Sequence, residues 1–293
     1  VKRHLRRLLS SALLFISVVG LCQAQPVLKP LGPNIADTGS AWYHFRSATF
    51  DSADKQRHYK VWVAIPNGDA PRAGRPALVM LDGNAAMSKL SEALLGRIAK
   101  AKAPVLVAVG YQTALPFDIP SRTRDYTPVA PVSGHAIYKE DQGGGSVAFR
   151  QLLLESILPW AESQARINRN ELSLWGHSYG GLFVLDTFYS APERFRNYYA
   201  ASASLGWGND IMLDRARTLS HTALAGKPLQ LDEGDGQSNM PAQDKNAQLV
   251  EILKQKGIDA NYRVYPGLTH GPMFDVSLLQ TINAVAGIAD VGQ

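Results

Sequence analysis

The chain of 293 residues is 45% hydrophobic and 19% charged, with 25 Gly, 17 Pro and one Cys, which excludes an intrinsically disordered protein and a disulfide-stapled scaffold. Its length fits one large domain or two small ones, and no internal repeat or low-complexity tract points to a solenoid. A formal net charge of +5 raises the question of a nucleic-acid partner, and the placement of the charge answers it.

Lys2, Arg3, Arg6 and Arg7 precede an apolar run from Leu8 to Leu21, and Cys22-Gln23-Ala24 supplies small residues before a cleavage point. Residues 1–24 therefore read as a secretory signal peptide cut after Ala24. The run is about 14 residues, short of the roughly 20 that span a bilayer, so no stable membrane insertion is expected after cleavage. Without this segment 26 Lys/Arg stand against 25 Asp/Glu. No basic stripe or nucleic-acid motif remains, and no nucleic-acid partner is expected. Cys22 leaves with the signal, so a disulfide, a thiolate nucleophile and a Cys-bound metal are not expected either.

Residues 25–293 are expected to form a single domain. Trp42–Phe50 and Tyr59–Ile65 alternate as two strands of an antiparallel hairpin. Short apolar runs follow at Ala77–Leu81, Val105–Val109 and Leu172–Trp175, separated by helical spacing over Ser88–Ala101 and Ser146–Ala165. Runs of this kind read as buried parallel strands. A helix over Gly181–Tyr189, strands near Tyr198–Ala203, Leu229–Asp232 and Tyr262–Tyr265, a helix over Asp244–Lys256 and a closing helix after Phe274 continue the alternation. The prediction is an α/β protein with a mostly parallel, doubly wound sheet and an antiparallel N-terminal hairpin at its edge. The stretch from Gly110 to Gly145 is too long for a plain connection and is expected to be an irregular loop that carries function.

Gly176-His177-Ser178-Tyr179-Gly180-Gly181 contains G-x-S-x-G between an apolar strand and a helical pattern, the context of a nucleophile elbow. The turn is tight enough that a Cβ at either flanking glycine is expected to clash. A serine hydroxyl needs a base within reach. Of the seven His, His270 stands after the last strand, in the order nucleophile then histidine that this layout requires. The acid that orients the base would follow Leu229–Leu231, where Asp235 is the choice by position; the alternative is a Ser–His pair without an acid. Two backbone N–H groups must face the developing oxyanion. Tyr179, next to the nucleophile, and Asn84, in Asp82-Gly83-Asn84 after the strand Ala77–Leu81, are the candidates.

Leu81-Asp82-Gly83-Asn84, Arg122-Thr123-Arg124-Asp125-Tyr126-Thr127-Pro128, the serine motif and Thr269-His270-Gly271 together resemble the esterase D group of α/β-hydrolases, and within it the periplasmic trilactone esterases of catecholate siderophores. The resemblance covers nearly all of residues 25–293 and implies Ser178 as nucleophile, His270 as base, and Asn84 and Tyr179 as oxyanion donors. It departs at the acid, because Gln237 stands where several relatives carry Glu; this favours a Ser–His dyad. It further implies a periplasmic enzyme that opens the trilactone of a siderophore such as enterobactin, apo or ferric, with no metal or organic cofactor. Arg122 and Arg124 are candidates to meet a negatively charged ferric catecholate, or to hold the loop. Trp207 would wall the site or pack beneath it. A general exported carboxylesterase acting on aryl or short acyl esters, and a non-catalytic periplasmic binding protein on the same fold, are the alternatives.

Overall fold

The computed structural model describes residues 28–132, 139–236 and 242–289. The expected signal peptide, His135 and Gln237 lie outside them.

A one-turn helix, α1 (Ile35–Thr38), precedes the hairpin of β1 (Tyr43–Asp51) and β2 (His58–Pro66), which pair antiparallel from Tyr43↔Pro66 to Asp51↔His58. Then come β3 (Arg75–Leu81), α2 (Gly83–Lys89), α3 (Glu92–Ala99), β4 (Val105–Tyr111) and α4 (Ile119–Tyr126). A long helical segment runs through α5 (Ser146–Leu152), a π-helical turn (Leu153–Ile157) and α6 (Leu158–Gln164). The rest is β5 (Ile167–His177), α7 (Tyr179–Ser190), β6 (Asn197–Ala201), α8 (Ile211–Thr218), β7 (Leu229–Gly234), α9 (Ala242–Gln255), β8 (Ala260–Tyr265) and α10 (Met273–Val285).

These strands form one eight-stranded sheet in the order β1-β2-β4-β3-β5-β6-β7-β8. β2 meets β4 antiparallel, and every pair from β4 to β8 is parallel. This is the mostly parallel sheet with an antiparallel N-terminal edge that the strand pattern predicts. Alternate side chains of the central strands feed two cores. Val79, Leu81, Val107 and Leu174 pack on the face covered by α5 to α9, with Phe149, Phe183 and Leu249. Leu78, Met80, Leu106 and Trp175 pack on the other face with Leu95 and Ile98 of α3 and Phe274, Leu278 and Ile282 of α10. Both faces of β3 and β4 are buried, which explains why their sequences read as unbroken apolar runs.

Two expectations are corrected. Ser88–Ala101 is not one helix: α2 ends at Lys89, and the Ser91 side chain accepts from Leu94 N to start α3. The stretch 110–145 is not wholly irregular, because it holds α4, whose first turn is capped by Asp118 accepting from Ser121 N and carries Pro120 near its start.

The strand order reverses between β3 and β5. In an open α/β sheet the crevice beyond the carboxyl ends of two such strands is where ligands bind. The loops at those ends are Asp82-Gly83-Asn84 and His177-Ser178-Tyr179.

Candidate active site

The elbow is built by steric exclusion. A Cβ on Gly176 would overlap the carbonyl oxygen of Gly180, and one on Gly181 would stand 2.8 Å from the carbonyl oxygen of Ala201. The nearest atoms to a Cβ on Gly180 would be 3.6 Å away, an ordinary contact, so the expectation of a clash at both glycines of the motif is corrected to Gly176 and Gly181. Gly181→Ala should therefore unfold or strongly destabilise the protein, whereas Gly180→Ala, inside α7, should leave the thermal midpoint unchanged or raise it, helix propensity favouring Ala by about 1 kcal/mol. Equal thermal midpoints for the two variants would contradict this.

Ser178 takes φ 61° and ψ −117°, a left-handed conformation that costs a non-glycine residue about 1–3 kcal/mol. Backbone bonds hold it there. Ser178 N donates to Ala201 O (2.9 Å), and the Ser178 carbonyl accepts from Leu182 N (3.0 Å) and Ser204 N (3.2 Å). The half-buried hydroxyl sits at the carboxyl end of β5, 3.3 Å from the hydroxyl of Ser204. Tyr179 opens α7, so its amide lies at the positive end of that helix.

Asn84 is the second residue of α2, where helix geometry gives its N–H no intrahelical acceptor. Its carboxamide clamps the end of β4: Oδ1 accepts from Tyr111 N at 2.8 Å, and Nδ2 donates to the carbonyls of Tyr111 (3.1 Å) and Thr113 (2.9 Å). The side chain is thus occupied in fixing the backbone. Gly83 allows this approach, since a Cβ there would stand 2.6 Å from the Val109 carbonyl carbon.

Asp82, at φ 52° and ψ 49°, makes the turn from β3 into α2. Its carboxylate makes no cap bond to the helix and instead receives Arg122 Nε and Nη2, both at 2.8 Å. Arg122 Nη2 also donates to His177 O at 3.3 Å, and the guanidinium lies 5.4 Å from the centroid of the Tyr179 ring and 5.5 Å from those of Phe117 and Tyr126. One buried cation therefore ties together the β3 turn, the elbow and the first residue of α7. Asp82, which the sequence reading did not single out, is its counter-charge.

His270 lies between β8 and α10, half-buried, with its ring 4.7 Å from that of His177. The His270 carbonyl is 2.8 Å from His177 Nε2. A carbonyl only accepts, so His177 carries its proton on Nε2 and pins the histidine loop to the elbow. Burial, and then the positive charge of Arg122, hold the His270 imidazole below its ordinary value of 6.5. Burial lowers His177 much further, helped by His270 and Arg122. Both rings are accordingly neutral at pH 7, the state a proton acceptor needs.

Not every candidate converges here. Asp235, the expected acid, is exposed, and its carboxylate accepts from Gly267 N, bracing the β7 and β8 ends against each other. No carboxylate hydrogen-bonds the His270 ring among the described residues. Glu233, at the end of the strand from which such an acid would come, is buried and accepts from Ser202 Oγ (2.9 Å) and Asn246 Nδ2 (2.8 Å). Arg122, a candidate substrate contact, is only 7% exposed and is committed to Asp82. Trp207, the candidate wall, is fully buried, donates from Nε1 to Pro128 O at 3.0 Å and packs edge-on behind Tyr179. Arg124 is exposed and bonds the Gly143 carbonyl.

The loop signature is thus largely a foundation. Asp125 receives Arg57 Nε (2.7 Å), Tyr59 Oη (2.8 Å) and Tyr111 Oη (3.1 Å), and burial pushes its carboxyl up to about 6 in spite of Arg57. Tyr126 Oη accepts from Asp82 N at 3.1 Å, and Thr127 Oγ1 donates back to Thr123 O at 2.7 Å. Among the described residues no group of His, Cys, Asp and Glu is arranged to hold a metal ion.

A strained serine on a strand-to-helix turn, at the reversal point of this sheet and with the histidine loop pinned to the preceding residue, defines an α/β-hydrolase. The chain belongs to the Esterase family, whose model matches residues 52–284. It is 45% identical over 281 residues to the apo-salmochelin esterase of Escherichia coli O6:H1, covering 91% of this chain and 88% of that protein. The ferri-bacillibactin esterase BesA of Bacillus subtilis is 28% identical over 238 residues, with 75% and 81% covered. Among solved structures, the enterobactin and salmochelin hydrolase IroE superposes with a TM-score of 0.78 at 46% identity, over 87% of this chain and all of that one. No helix among the described residues is long and apolar enough to cross a membrane.

Proposed function

We propose that the protein is a serine esterase that opens the trilactone of a catecholate siderophore of the enterobactin or salmochelin type. Ser178 Oγ attacks a lactone carbonyl while His270 takes its proton, and the N–H groups of Asn84 and Tyr179 stabilise the oxyanion. Collapse releases the alcohol end of the opened ring with that proton and leaves an acyl-Ser178. Water, deprotonated by His270, then frees the carboxylate. A Ser178–His270 dyad accounts for these steps, since the nearby acids are engaged elsewhere. The linear product grips iron less firmly than the ring, which would aid release of the metal. Arg124, at the exposed side of the loop, is the cationic contact we assign to a catecholate. The basic and apolar pattern of residues 1–24 supports export, and with it action in the periplasm.

The observation that carries this reading is the 45% identity to an apo-salmochelin esterase along 91% of the chain, with the elbow and histidine loop both in place. Incubated with apo and ferric enterobactin beside a simple aryl ester, the purified protein should open the trilactone, and Ser178→Ala should not. Hydrolysis of the aryl ester alone would replace the siderophore with the general carboxylesterase reading.

A further inference from the structure

Ser204 follows β6 in a segment folded back on itself with unusual tightness. Ser202 stands at φ 41°, its N–H donates to Asp232 O at 2.8 Å, and Leu205 N donates to Ala203 O at 2.7 Å. Beneath the segment, the buried Glu233 accepts the Ser202 hydroxyl and is itself held by Asn246 and by Gly234 N at 3.2 Å. From above, α7 packs so closely that Gly181 admits no Cβ against Ala201 and Ala203. A chain placed this firmly fixes the side chain it delivers. What it delivers is the Ser204 hydroxyl, 7% exposed, 3.3 Å from Ser178 Oγ, with Ser204 N donating to the Ser178 carbonyl. Hydroxyl and amide of one residue thus address the hydroxyl and carbonyl of the other.

We propose that Ser204 is a catalytic residue, whose O–H donates to Ser178 Oγ whenever negative charge gathers on that oxygen. The inference rests on Ser178 being the nucleophile. In acylation the Ser178 proton passes to the His270 ring, and the electron pair left on Oγ forms the bond to the carbonyl carbon. The Ser204 hydrogen bond stabilises that pair without transferring its own proton. In deacylation Oγ is the leaving group. The bond from the carbonyl carbon breaks, its electron pair returns to Oγ under the same hydrogen bond, and the His270 imidazolium restores the proton. A donor aimed at this oxygen works in both half-reactions, and it acts where no carboxylate backs the base. The carboxylate of Glu233, near the end of β7, serves the second serine instead by holding the turn that carries it.

The test uses an aryl ester and a phosphonate that labels reactive serines, so its outcome does not depend on the siderophore reading. Ser204→Ala should slow phosphonylation of Ser178 by about 10- to 100-fold, the scale of a hydrogen bond to a charged group. It should lower the acylation and deacylation constants in pre-steady-state kinetics together, with KM, the thermal midpoint and the position of the acidic limb in the pH profile unchanged. Ser204→Thr, which keeps the hydroxyl, should recover most of the rate. Wild-type labelling by Ser204→Ala would overturn the proposal, as would a loss of rate matched by a lower thermal midpoint or a higher KM. Label or turnover retained by Ser178→Ala would remove the nucleophile on which it rests.

Discussion

His270→Ala should lower kcat/KM on any ester by at least about 10³-fold, the upper range of what a positioned general base supplies, without lowering the thermal midpoint. In the unsubstituted protein the acidic limb of kcat/KM should lie below pH 6.5, the ordinary histidine value. The direction follows from the charges. On the proposed mechanism only the neutral ring accepts the Ser178 proton, and both burial and the Arg122 guanidinium disfavour the imidazolium, so the ring stays neutral to lower pH. His177, directly alongside, is held neutral by the same causes and adds no positive charge in that range. An acidic limb at or above the ordinary value would mean that His270 is solvated in solution, or that another group governs the profile.

Asp82→Ala is expected to cost about 3–5 kcal/mol of stability, because it leaves the buried Arg122 cation without its counter-charge. Denaturant unfolding measures it. Replacing both partners with apolar residues, as in Asp82→Ala with Arg122→Met, should restore much of that loss, since the cost of burying two charges disappears with them. Activity should not return with stability. The pair holds the turn that carries Asn84, the proposed oxyanion donor, and touches the carbonyl before Ser178, and an apolar pair keeps neither contact. A double variant with normal kcat would show that the pair serves stability alone.

Much of this was legible in the sequence because its causes are local. The hairpin and parallel strands are written in residue alternation and in unbroken apolar runs. The elbow is written partly in Gly176, whose Cβ is excluded by Gly180 four positions on, whereas Gly181, the second glycine needed in place of Gly180, is excluded by Ala201 and Ala203 across the fold. The start of α4 was equally local, in Asp118 and Pro120, and was hidden by the length of the surrounding stretch. What could not be read was how charges pair across the fold. Arg57 and Asp125 are 68 positions apart and Arg122 and Asp82 are 40 apart, so whether an arginine faces a ligand or a buried carboxylate depends on strand order. Ser204 left no motif. Its meeting with Ser178 follows from β6 lying beside β5 and from the turn that Glu233 braces.

The segment from Arg122 to Pro128, the end of α4 and the two residues after it, divides its labour by side. Asp125, Tyr126 and Thr127 face inward and are keyed to the sheet by hydrogen bonds, while Arg124, Val129 at 75% exposure and Val132 at 68% face outward. Substitution of the exposed Val129 and Val132 should cost little folding free energy, so a substrate contact of the kind proposed for Arg124 would sit on a surface free to vary above a fixed foundation. On that assignment, a change of substrate at the outer side would need no compensating change in the core, because the inward residues that hold the segment to the sheet would be untouched.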